Sequence, residues 1–376
     1  MLRPGLSLLL PFLFSLLLVT PLQAAGYSIV EIPAPLTHAA ALNNDGDVVG
    51  DSGSSQPSGA FLYRSRTGEV TQLPCQGTNC SAYAAGIDAL GNIIGTNSSQ
   101  GTRPQAIVWL ANGGITVFSN TFFSTGSGVN NHRQAVWNST DLAGLQSGVV
   151  SDLLDQSRIG LVPLLQCGLG FCDAQSGGAA INRLGHAVGW SSWGAQPPDP
   201  DGGGQVQSGI HAALWVNGQP TDLGALGDDT YSSANGVNDF DEVVGSSTVG
   251  SASHAFLYRR GRMRDLGSLA RDPALNSDAD GINDCGEIVG WSDVRVPGTA
   301  SVEQRAFVTR GGRLWNLTLL LDPRSSLHGK VRLTEAVAIS RNGWIAVNGY
   351  DVTTRAKHAY LLTVRKSRHE KCWHPH

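Results

Sequence analysis

The sequence predicts an all-β protein, a seven-bladed β-propeller of four-stranded antiparallel blades. The first observation is a unit that recurs seven times, with corresponding residues at Asn43, Asp88, Asn130, Asn182, Asn238, Asn283 and Ser340. The second is their spacing of 42 to 57 positions, the size of a propeller blade. The third is a composition with 47 glycines and only 15% charged residues, which is typical of short strands joined by tight turns. An open β-solenoid is the alternative, but spacing this long and uneven favours blades.

Each unit predicts four short strands. In the second copy they are residues 84–88, 93–96, 105–110 and 115–119, which are rich in β-branched and aromatic side chains and bounded by turn formers. Most copies place a glycine three residues after the corresponding position, and Arg133 and Asp241 are departures. This predicts hairpin turns with positive φ between the first and second strands. A second recurring glycine follows the apolar pair of the second strand, except in the third copy, where Trp137 stands instead.

The two ends of the repeat array predict how the ring closes. After the third strand of the last copy, residues 358–364, no good fourth strand precedes the polar end of the chain. The apolar segment 27–32 precedes the first copy and would supply the missing strand. A ring closed by this N-terminal strand leaves no open sheet edge to recruit other chains, so we expect a monomer.

The repeated sequence resembles a known family. His254-Ala255-Phe256, then Asp265-Leu266-Gly267, then Ile282-Asn283-Asp284 followed at one remove by Gly286 are similar to the HAF family of extracellular repeats. The resemblance covers essentially the whole chain after residue 25. It implies a secreted bacterial repeat protein, and it implies no particular activity.

The chain divides into three parts. Residues 1–25 are typical of a secretory signal peptide, with Arg3 before an apolar run and small residues at Ala24 and Ala25. An N-terminal anchor helix is the alternative, but Pro11 interrupts a run already short for a bilayer. Residues 26–364 are the seven-repeat propeller, and residues 365–376 are a polar tail. We therefore expect a secreted or periplasmic protein with no membrane span in its mature part.

Charge and cysteines narrow the function classes further. The formal net charge is −4 and no basic stripe is present, which argues against a nucleic-acid partner. Six cysteines in an exported chain favour disulfides. Cys75 and Cys80 share one spacing with Cys167 and Cys172, so we predict two local bridges, with Cys285 and Cys372 left to pair with each other. Zinc is the weaker alternative, because no further paired ligands lie nearby.

The predicted topology places length variation at one face of the ring. Connections from second to third strand and from fourth to first share this variable-loop face, including the insertions at residues 196–204 and 294–301. Insertions on one face mark the expected binding surface of a repeat protein. Aromatic residues follow the second-strand glycine in three blades, where their rings would stack on a sugar or a peptide side chain, and packing between blades is the alternative. The candidate ligand-binding residues are Trp190, Trp193, Trp291, Asp293, Arg295 and Tyr350.

Other candidate chemistry has a structural interpretation. His211, His254 and His358 recur at one repeat position, which favours a local hydrogen bond. Gly50-Asp51-Ser52-Gly53 is similar to the nucleophile segment of a serine protease but lacks the context of a catalytic triad.

Metal sites are the remaining candidates. Residues 43–47 and 278–281 resemble calcium loops but lack the distal glutamate. We expect no cofactor; calcium is an alternative, mainly at Asp199 and Asp201, and the histidines of the tail are a weak metal candidate.

Two functions remain open. We favour a recognition or scaffold module that binds an extracellular glycan or a protein or peptide ligand, because no catalytic motif or cofactor fingerprint is present. The alternative is a polysaccharide-active hydrolase or lyase with a carboxylate site in the central depression.

Overall fold

The computed structural model of the chain describes residues 26–33, 37–52, 59–118, 123–165, 174–194, 208–227 and 231–364. These residues form 28 β-strands in seven four-stranded antiparallel sheets arranged as a ring. The predicted seven-bladed β-propeller is therefore confirmed. The first strand of each blade contacts the first strands of both neighbouring blades, which places these seven strands around the central axis.

Blades 1 to 3 each consist of four consecutive strands, which follow one another from the innermost strand outwards. They are β2 (Thr37–Leu42), β3 (Val48–Ser52), β4 (Ala60–Arg64) and β5 (Glu69–Gln72) in blade 1; β6 (Ser81–Ile87), β7 (Ile93–Ser98), β8 (Gln105–Trp109) and β9 (Ile115–Val117) in blade 2; and β10 (Phe123–Val129), β11 (Gln134–Thr140), β12 (Gln146–Asp152) and β13 (Arg158–Gly160) in blade 3. In blade 2 the innermost strand begins three residues before its predicted start.

Blades 4 to 6 repeat this order, and blade 7 takes its outer strand from the N-terminal part of the chain. They are β14 (Ser176–Ile181), β15 (Ala187–Gly194), β16 (Ser208–Val216) and β17 (Gln219–Asp222) in blade 4; β18 (Ser232–Val237), β19 (Val243–Val249), β20 (Ala252–Arg259) and β21 (Arg262–Gly267) in blade 5; β22 (Ser277–Ile282), β23 (Ile288–Arg295), β24 (Val302–Arg310) and β25 (Arg313–Asn316) in blade 6; and β26 (Val331–Ile339), β27 (Ile345–Asp351), β28 (Lys357–Val364) and β1 (Tyr27–Glu31) in blade 7. A 3-10 turn, Leu317–Leu320, follows β25.

The ring closes as the sequence predicts. Strand β1 pairs antiparallel with β28, with Tyr27 opposite Val364 and Glu31 opposite Tyr360. The Tyr27 side chain is 1% exposed, and its carbonyl oxygen accepts the Asp322 N–H at 2.8 Å. The N-terminal strand is thus tied both to blade 7 and to the end of blade 6.

The core lies between adjacent blades. Alternating residues of a strand point to opposite faces of its sheet, and here both faces of the two middle strands are apolar. In blade 5, Val243 packs with residues of blade 4, whereas Val244 packs with residues of blade 6. Each blade therefore buries one apolar surface against each neighbour, which is the main stabilising contribution to the ring.

The recurring second-strand glycine has a steric cause. A Cβ atom at Gly245 or Gly290 would lie 2.0 Å from a carbonyl oxygen of the first strand, beside a β-bulge. No side chain fits there without moving the backbone. In blade 3, Trp137 occupies this position opposite Gly126, and the same bulge is kept.

The residue that defines the repeat closes the tight turn and joins neighbouring blades. Asn238 Oδ1 accepts the N–H groups of Phe240 and Glu242, both at 3.0 Å. Its Nδ2 donates to the Asn283 carbonyl oxygen of the next blade at 3.1 Å. In the described ring, five of the seven junctions carry this second bond, from Asn43, Asn130, Asn182, Asn238 and Asn283.

Positive φ at the turn is confirmed, including at the two departures from glycine. Arg133 has φ 64° and Asp241 has φ 57°, close to the φ of 71° at Gly286. Side chains that accept hydrogen bonds inside the turn hold it in this conformation even where glycine is replaced.

The cysteines agree with the predicted framework where the structure describes them. Cys75 and Cys80 are joined by a disulfide in the connection between β5 and β6, with Cα atoms 5.9 Å apart. Cys285 is also disulfide-bonded. Cys167, Cys172 and Cys372 lie outside the described residues, so the other two pairings stay predictions. Across the described ranges, no helix has the length and apolar character that a membrane span needs.

Candidate ligand site in the central channel

The tight turns meet around the axis at one end of the ring, where charged side chains join four blades. Arg341 of blade 7 donates from Nε to Asp284 Oδ2 of blade 6 at 2.8 Å and from Nη2 to Asp239 Oδ2 of blade 5 at 3.1 Å. Arg183 of blade 4 donates to the same Asp239 oxygen at 3.0 Å. This network ties together the tight turns of blades 4 to 7 at that end of the ring.

We give the name central funnel to two rings of residues near the variable-loop end of the innermost strands. One ring comes from the first strands, and the other consists of the second-strand residues directly opposite, of which Thr96, Asn138 and Asn348 hydrogen-bond to the first strand of the next blade. The first-strand residues are His38, Tyr83, Thr125, Gly177, Ser233, Asp278 and Glu335, and the second-strand residues are Asp51, Thr96, Asn138, Trp190, Ser246, Trp291 and Asn348. The repeats are nearly uniform in the core, but at these positions almost every blade differs.

Carboxyl groups concentrate on the side of the funnel formed by blades 6 and 7. Asp278 Oδ1 accepts Asn235 Nδ2 at 2.8 Å, and its Oδ2 accepts the Ser246 hydroxyl at 3.0 Å. Asp280, the bulge residue of β22, has a buried Oδ2 with no hydrogen-bond partner among the described residues.

The acidic wall continues into blade 1 through a histidine. Glu335 of blade 7 accepts Asn348 Nδ2 at 3.1 Å, and its Oε2 lies 3.6 Å from His38 Nε2 of blade 1. His38 Nδ1 in turn lies 3.7 Å from Asp51 Oδ1. Blades 6, 7 and 1 together therefore form one acidic side of the funnel.

The environment separates the pKa values of these acids. Burial raises the pKa of Asp278 to about 6, and the Glu335 charge adds to the rise against hydrogen bonds that oppose it. Burial, with the charges of Asp278 and Glu335, raises the pKa of Asp280 well above its usual value. The adjacent His38 lowers the pKa of Glu335, and Glu335 raises the pKa of His38. The two neighbouring blades thus shift their carboxyl pKa values in opposite directions, upward for Asp278 and Asp280 and downward for Glu335.

Two of the predicted aromatic residues belong to the funnel. Trp190 lies over Gly177, where an added Cβ would be 2.4 Å from the indole Nε1. Trp291 is directly opposite Asp278 in the register of β22 and β23. Facing residues of adjacent strands are close neighbours, so this indole and this carboxyl lie side by side.

Tyr350 occupies a different place from its predicted counterparts. In blade 7 the register position of the repeat glycine is held by Val347, and Gly349 stands two residues later. Tyr350 therefore lies opposite Arg332 and Lys357, and Arg355 lies 4.4 Å above its ring. Asn348 takes the position that corresponds to Trp291, and its amide exchanges two hydrogen bonds with Ala39 of blade 1 at 2.8 and 3.1 Å. The assumed equivalence of Tyr350 with the two tryptophans is therefore wrong, because it was counted from a glycine that is displaced in this blade.

The other predicted ligand-binding residues are engaged in local contacts. Trp193 stacks on His211, with ring centroids 4.2 Å apart. Asp293 is buried and accepts Asn276 Nδ2 at 3.0 Å, while Arg295 donates from Nε to Asp272 at 3.0 Å. The structure does not join these three residues to the two indoles of the funnel.

Two of the three recurring histidines make the local hydrogen bond that the repeat predicts. His211 Nδ1 lies 2.9 Å from Asp222 Oδ1, and His254 Nδ1 lies 2.9 Å from Asp265 Oδ2, each pair joining the third and fourth strands of one blade. In blade 7, His358 Nδ1 lies 3.2 Å from Glu31 Oε1 but makes no hydrogen bond with the described residues. His211 and His254 therefore hold the outer strands of their blades in place.

The remaining candidates of the sequence do not form metal or protease sites in the described part of the chain. Ser52 Oγ exchanges hydrogen bonds with the Gly59 backbone at 3.1 and 3.2 Å. Asp278 and Asp280 lie in a strand of the funnel, so their resemblance to a calcium loop was misleading. Within the described ranges no group of three acidic, histidine or cysteine side chains is placed to hold a metal ion. Asp199, Asp201 and the tail histidines lie outside those ranges.

Comparisons with known proteins identify no family for this chain. No protein-family model and no curated protein matches the chain. Among solved structures, TolB from Acinetobacter baumannii is 10% identical with a TM-score of 0.40, covering 90% of this chain and 97% of that one. Pyrococcus horikoshii acylaminoacyl peptidase is 12% identical with a TM-score of 0.43, covering 76% and 46%. A Mycobacterium tuberculosis puromycin-hydrolyzing peptidase is 10% identical with a TM-score of 0.45, covering 87% and 52%. The chain spans about half the length of these two peptidases, and similarity at this level identifies no ligand or reaction.

Proposed function

We propose that this chain is an exported recognition module, secreted or periplasmic, that binds a ligand in the central funnel from the variable-loop face. The observation that carries the proposal is the arrangement of Trp190 and Trp291 beside the polar and acidic side chains of the funnel. Indole faces supply contact area at low entropic cost, and the polar groups around them orient a ligand.

The closed scaffold supports a binding function. Because β1 completes blade 7 and the asparagine bonds join adjacent blades, the funnel residues stand on strands held on both sides. Binding groups on rigid strands need little ordering when a ligand arrives, which favours affinity.

Export of the chain is part of the proposal. The Cys75–Cys80 disulfide fits an oxidising compartment. Residues 1–25 have the pattern of a signal peptide, and the resemblance to HAF repeats implies a secreted bacterial protein. Detection of the mature chain in the periplasm or medium, with cleavage near residue 25, tests this part.

Glycan and peptide arrays probed with the exported protein test the recognition function. A ligand bound in the funnel should lose at least about tenfold in affinity in Trp190→Ala or Trp291→Ala, equivalent to about 1.4 kcal/mol. Trp315→Ala is the matched control, because Trp315 is a half-exposed indole on the outermost strand of blade 6. Ligands that respond equally to all three variants, or no ligand at all, would contradict the proposal.

A second candidate is a polysaccharide hydrolase or lyase, which the acidic wall favours. Asp278, with a pKa near 6, and Glu335, with a lowered pKa, are suited to the acid and base roles that such reactions divide between two carboxyls. Release of new chain ends from polysaccharide by the native protein, lost in both Asp278→Asn and Glu335→Gln, would establish it. Binding without chain cleavage would leave the recognition function standing.

A further inference from the structure

We propose that the group bound deepest in the funnel is a cation, the lysine ammonium or arginine guanidinium of a protein or peptide ligand, held by Asp278, Asp280 and Glu335. The inference rests on the proposed recognition function, because it names the chemistry that the same funnel selects. It goes beyond that function, which requires a ligand but sets no charge for it.

Several acids of this chain have an arginine partner. Asp47 is paired with Arg64, Glu242 with Arg259, and Asp239 with arginines of two other blades. In the funnel, no arginine or lysine of the described residues forms an ion pair with Asp278, Asp280 or Glu335, and Glu335 has only His38 beside it. We infer that a cation from outside compensates this group of three carboxyls.

The buried Oδ2 of Asp280 is the second observation. This oxygen has no hydrogen-bond partner among the described residues, and an unsatisfied buried polar atom is costly to a folded protein. The charges of Asp278 on its own strand and of Glu335 on the neighbouring blade both act on Asp280 and raise its pKa. A nitrogen carrying N–H groups and positive charge would satisfy the oxygen and compensate all three carboxyls at once.

The depth of the site favours a long basic side chain over an amine attached to a sugar ring. Asp280 is the fourth residue of β22, about 10 Å below Ser277 at a rise of about 3.3 Å per residue. A lysine or arginine carries its charge at the end of a flexible apolar stem, which can descend along the Trp291 indole. An amine fixed directly to a sugar ring has no such stem.

Cation binding should release protons. Burial raises the pKa of Asp278 to about 6 and raises the pKa of Asp280 as well, whereas an adjacent positive charge favours their ionised forms. Other charged groups face the site or flank it on the strands packed around β22 and next to blade 7: Glu335 and Arg332 on β26, His38 on β2, Asp51 on β3, Asp293 and Arg295 on β23, His254 and Arg259 on β20, and Lys357 on β28.

Calorimetry of the exported protein with blocked pentapeptides Gly-Gly-X-Gly-Gly tests the inference, with X as lysine, arginine or norleucine. We expect lysine and arginine peptides to bind at least tenfold more tightly than the norleucine peptide, which keeps the stem and removes the charge. At pH 6, titrations in buffers of different ionisation enthalpy should show proton release. Asp280→Asn should remove the preference for charge and the proton release, whereas Asp45→Asn, the same change on an exposed turn, should remove neither.

The outcomes separate this inference from the proposed function. Equal affinity for the lysine and norleucine peptides, or an unchanged preference in Asp280→Asn, would overturn the cation assignment. Binding of a glucosamine tetramer in place of the lysine peptide would overturn the assignment to a peptide side chain. A neutral array ligand that depends on Trp291 and is indifferent to Asp280→Asn would refute the inference and leave the recognition function in place. If the array ligands bind the Trp190→Ala and Trp291→Ala variants with unchanged affinity, the proposed recognition function is itself contradicted.

Discussion

Replacement of Asp278 by asparagine should make the protein more stable near neutral pH. Asparagine keeps the shape of the side chain and can hydrogen-bond to both Asn235 and Ser246, which now donate to the two carboxylate oxygens. The substitution removes the negative charge that Asp278 can carry beside Glu335. The folded state should therefore be freed of the free-energy cost of ionising a buried carboxyl, and it should keep its hydrogen bonds.

The pKa gives the size and sign of the effect. A rise from 3.8 to about 6 corresponds to about 3 kcal/mol of stability, at ~1.4 kcal/mol per pKa unit. Because the folded-state pKa exceeds the unfolded value, the native protein loses stability as pH rises from about 4 to about 6. Above pH 6 the loss of stability caused by ionising Asp278 is complete, and below pH 4 it is absent. Since part of the side chain borders the channel, we expect a gain of about 1–3 kcal/mol at pH 7.5 and almost none at pH 3.5.

Urea unfolding of native protein and Asp278→Asn at the two pH values measures the difference. Asp45→Asn removes the same charge from an exposed turn, and its free energy of unfolding should be nearly equal to that of the native protein at both pH values. Lower stability of Asp278→Asn at pH 7.5, or a gain of the same size at pH 3.5, would refute the reasoning. The expected gain would also show that the funnel gives up stability to keep an acid at this position, as binding sites often do.

Three further predictions concern the framework. Asn238→Ala should lower stability by about 1–3 kcal/mol in urea unfolding, because it removes turn and inter-blade hydrogen bonds together, and a loss no larger than for an exposed alanine substitution would contradict this role. Gly245→Ala should cost more than about 3 kcal/mol or abolish folding, since its Cβ would lie 2.0 Å from a carbonyl oxygen; near-native circular dichroism and stability would show that the hairpin yields easily. Replacement of both Cys75 and Cys80 by serine should cost about 2 kcal/mol for so short a loop, measured against native protein under oxidising conditions, and an unchanged urea midpoint would exclude a stabilising role.

Much of the fold could be predicted because the repeat is visible in the sequence itself. Seven corresponding positions set the number of blades, and the apolar segment at residues 27–32 identified the closing strand. The alternation of apolar and polar residues could not show the side-chain amide of Asn238 reaching the next blade, because that contact joins residues 45 positions apart.

The candidate site was predicted only in part. Trp190 and Trp291 stood out because aromatic rings are rare in a glycine-rich hairpin. Asp278, Glu335 and His38 lie in three different blades, and only the closed ring brings them together. The sequence did contain one indication of the site. A first-strand position that differs in nearly every copy of an otherwise regular repeat is not constrained by packing in the core.

The strand that completes blade 7 has a consequence for biogenesis. In the folded ring Tyr27 of β1 pairs with Val364 of β28, so the first strand of the ring to be synthesised cannot pair until the last one has been made. A partly synthesised chain therefore has an unpaired strand edge at each end, and the ring closes in one late step of high contact order. A chaperone that binds the unpaired β1 strand until β28 is available would favour this closure over pairing with other chains.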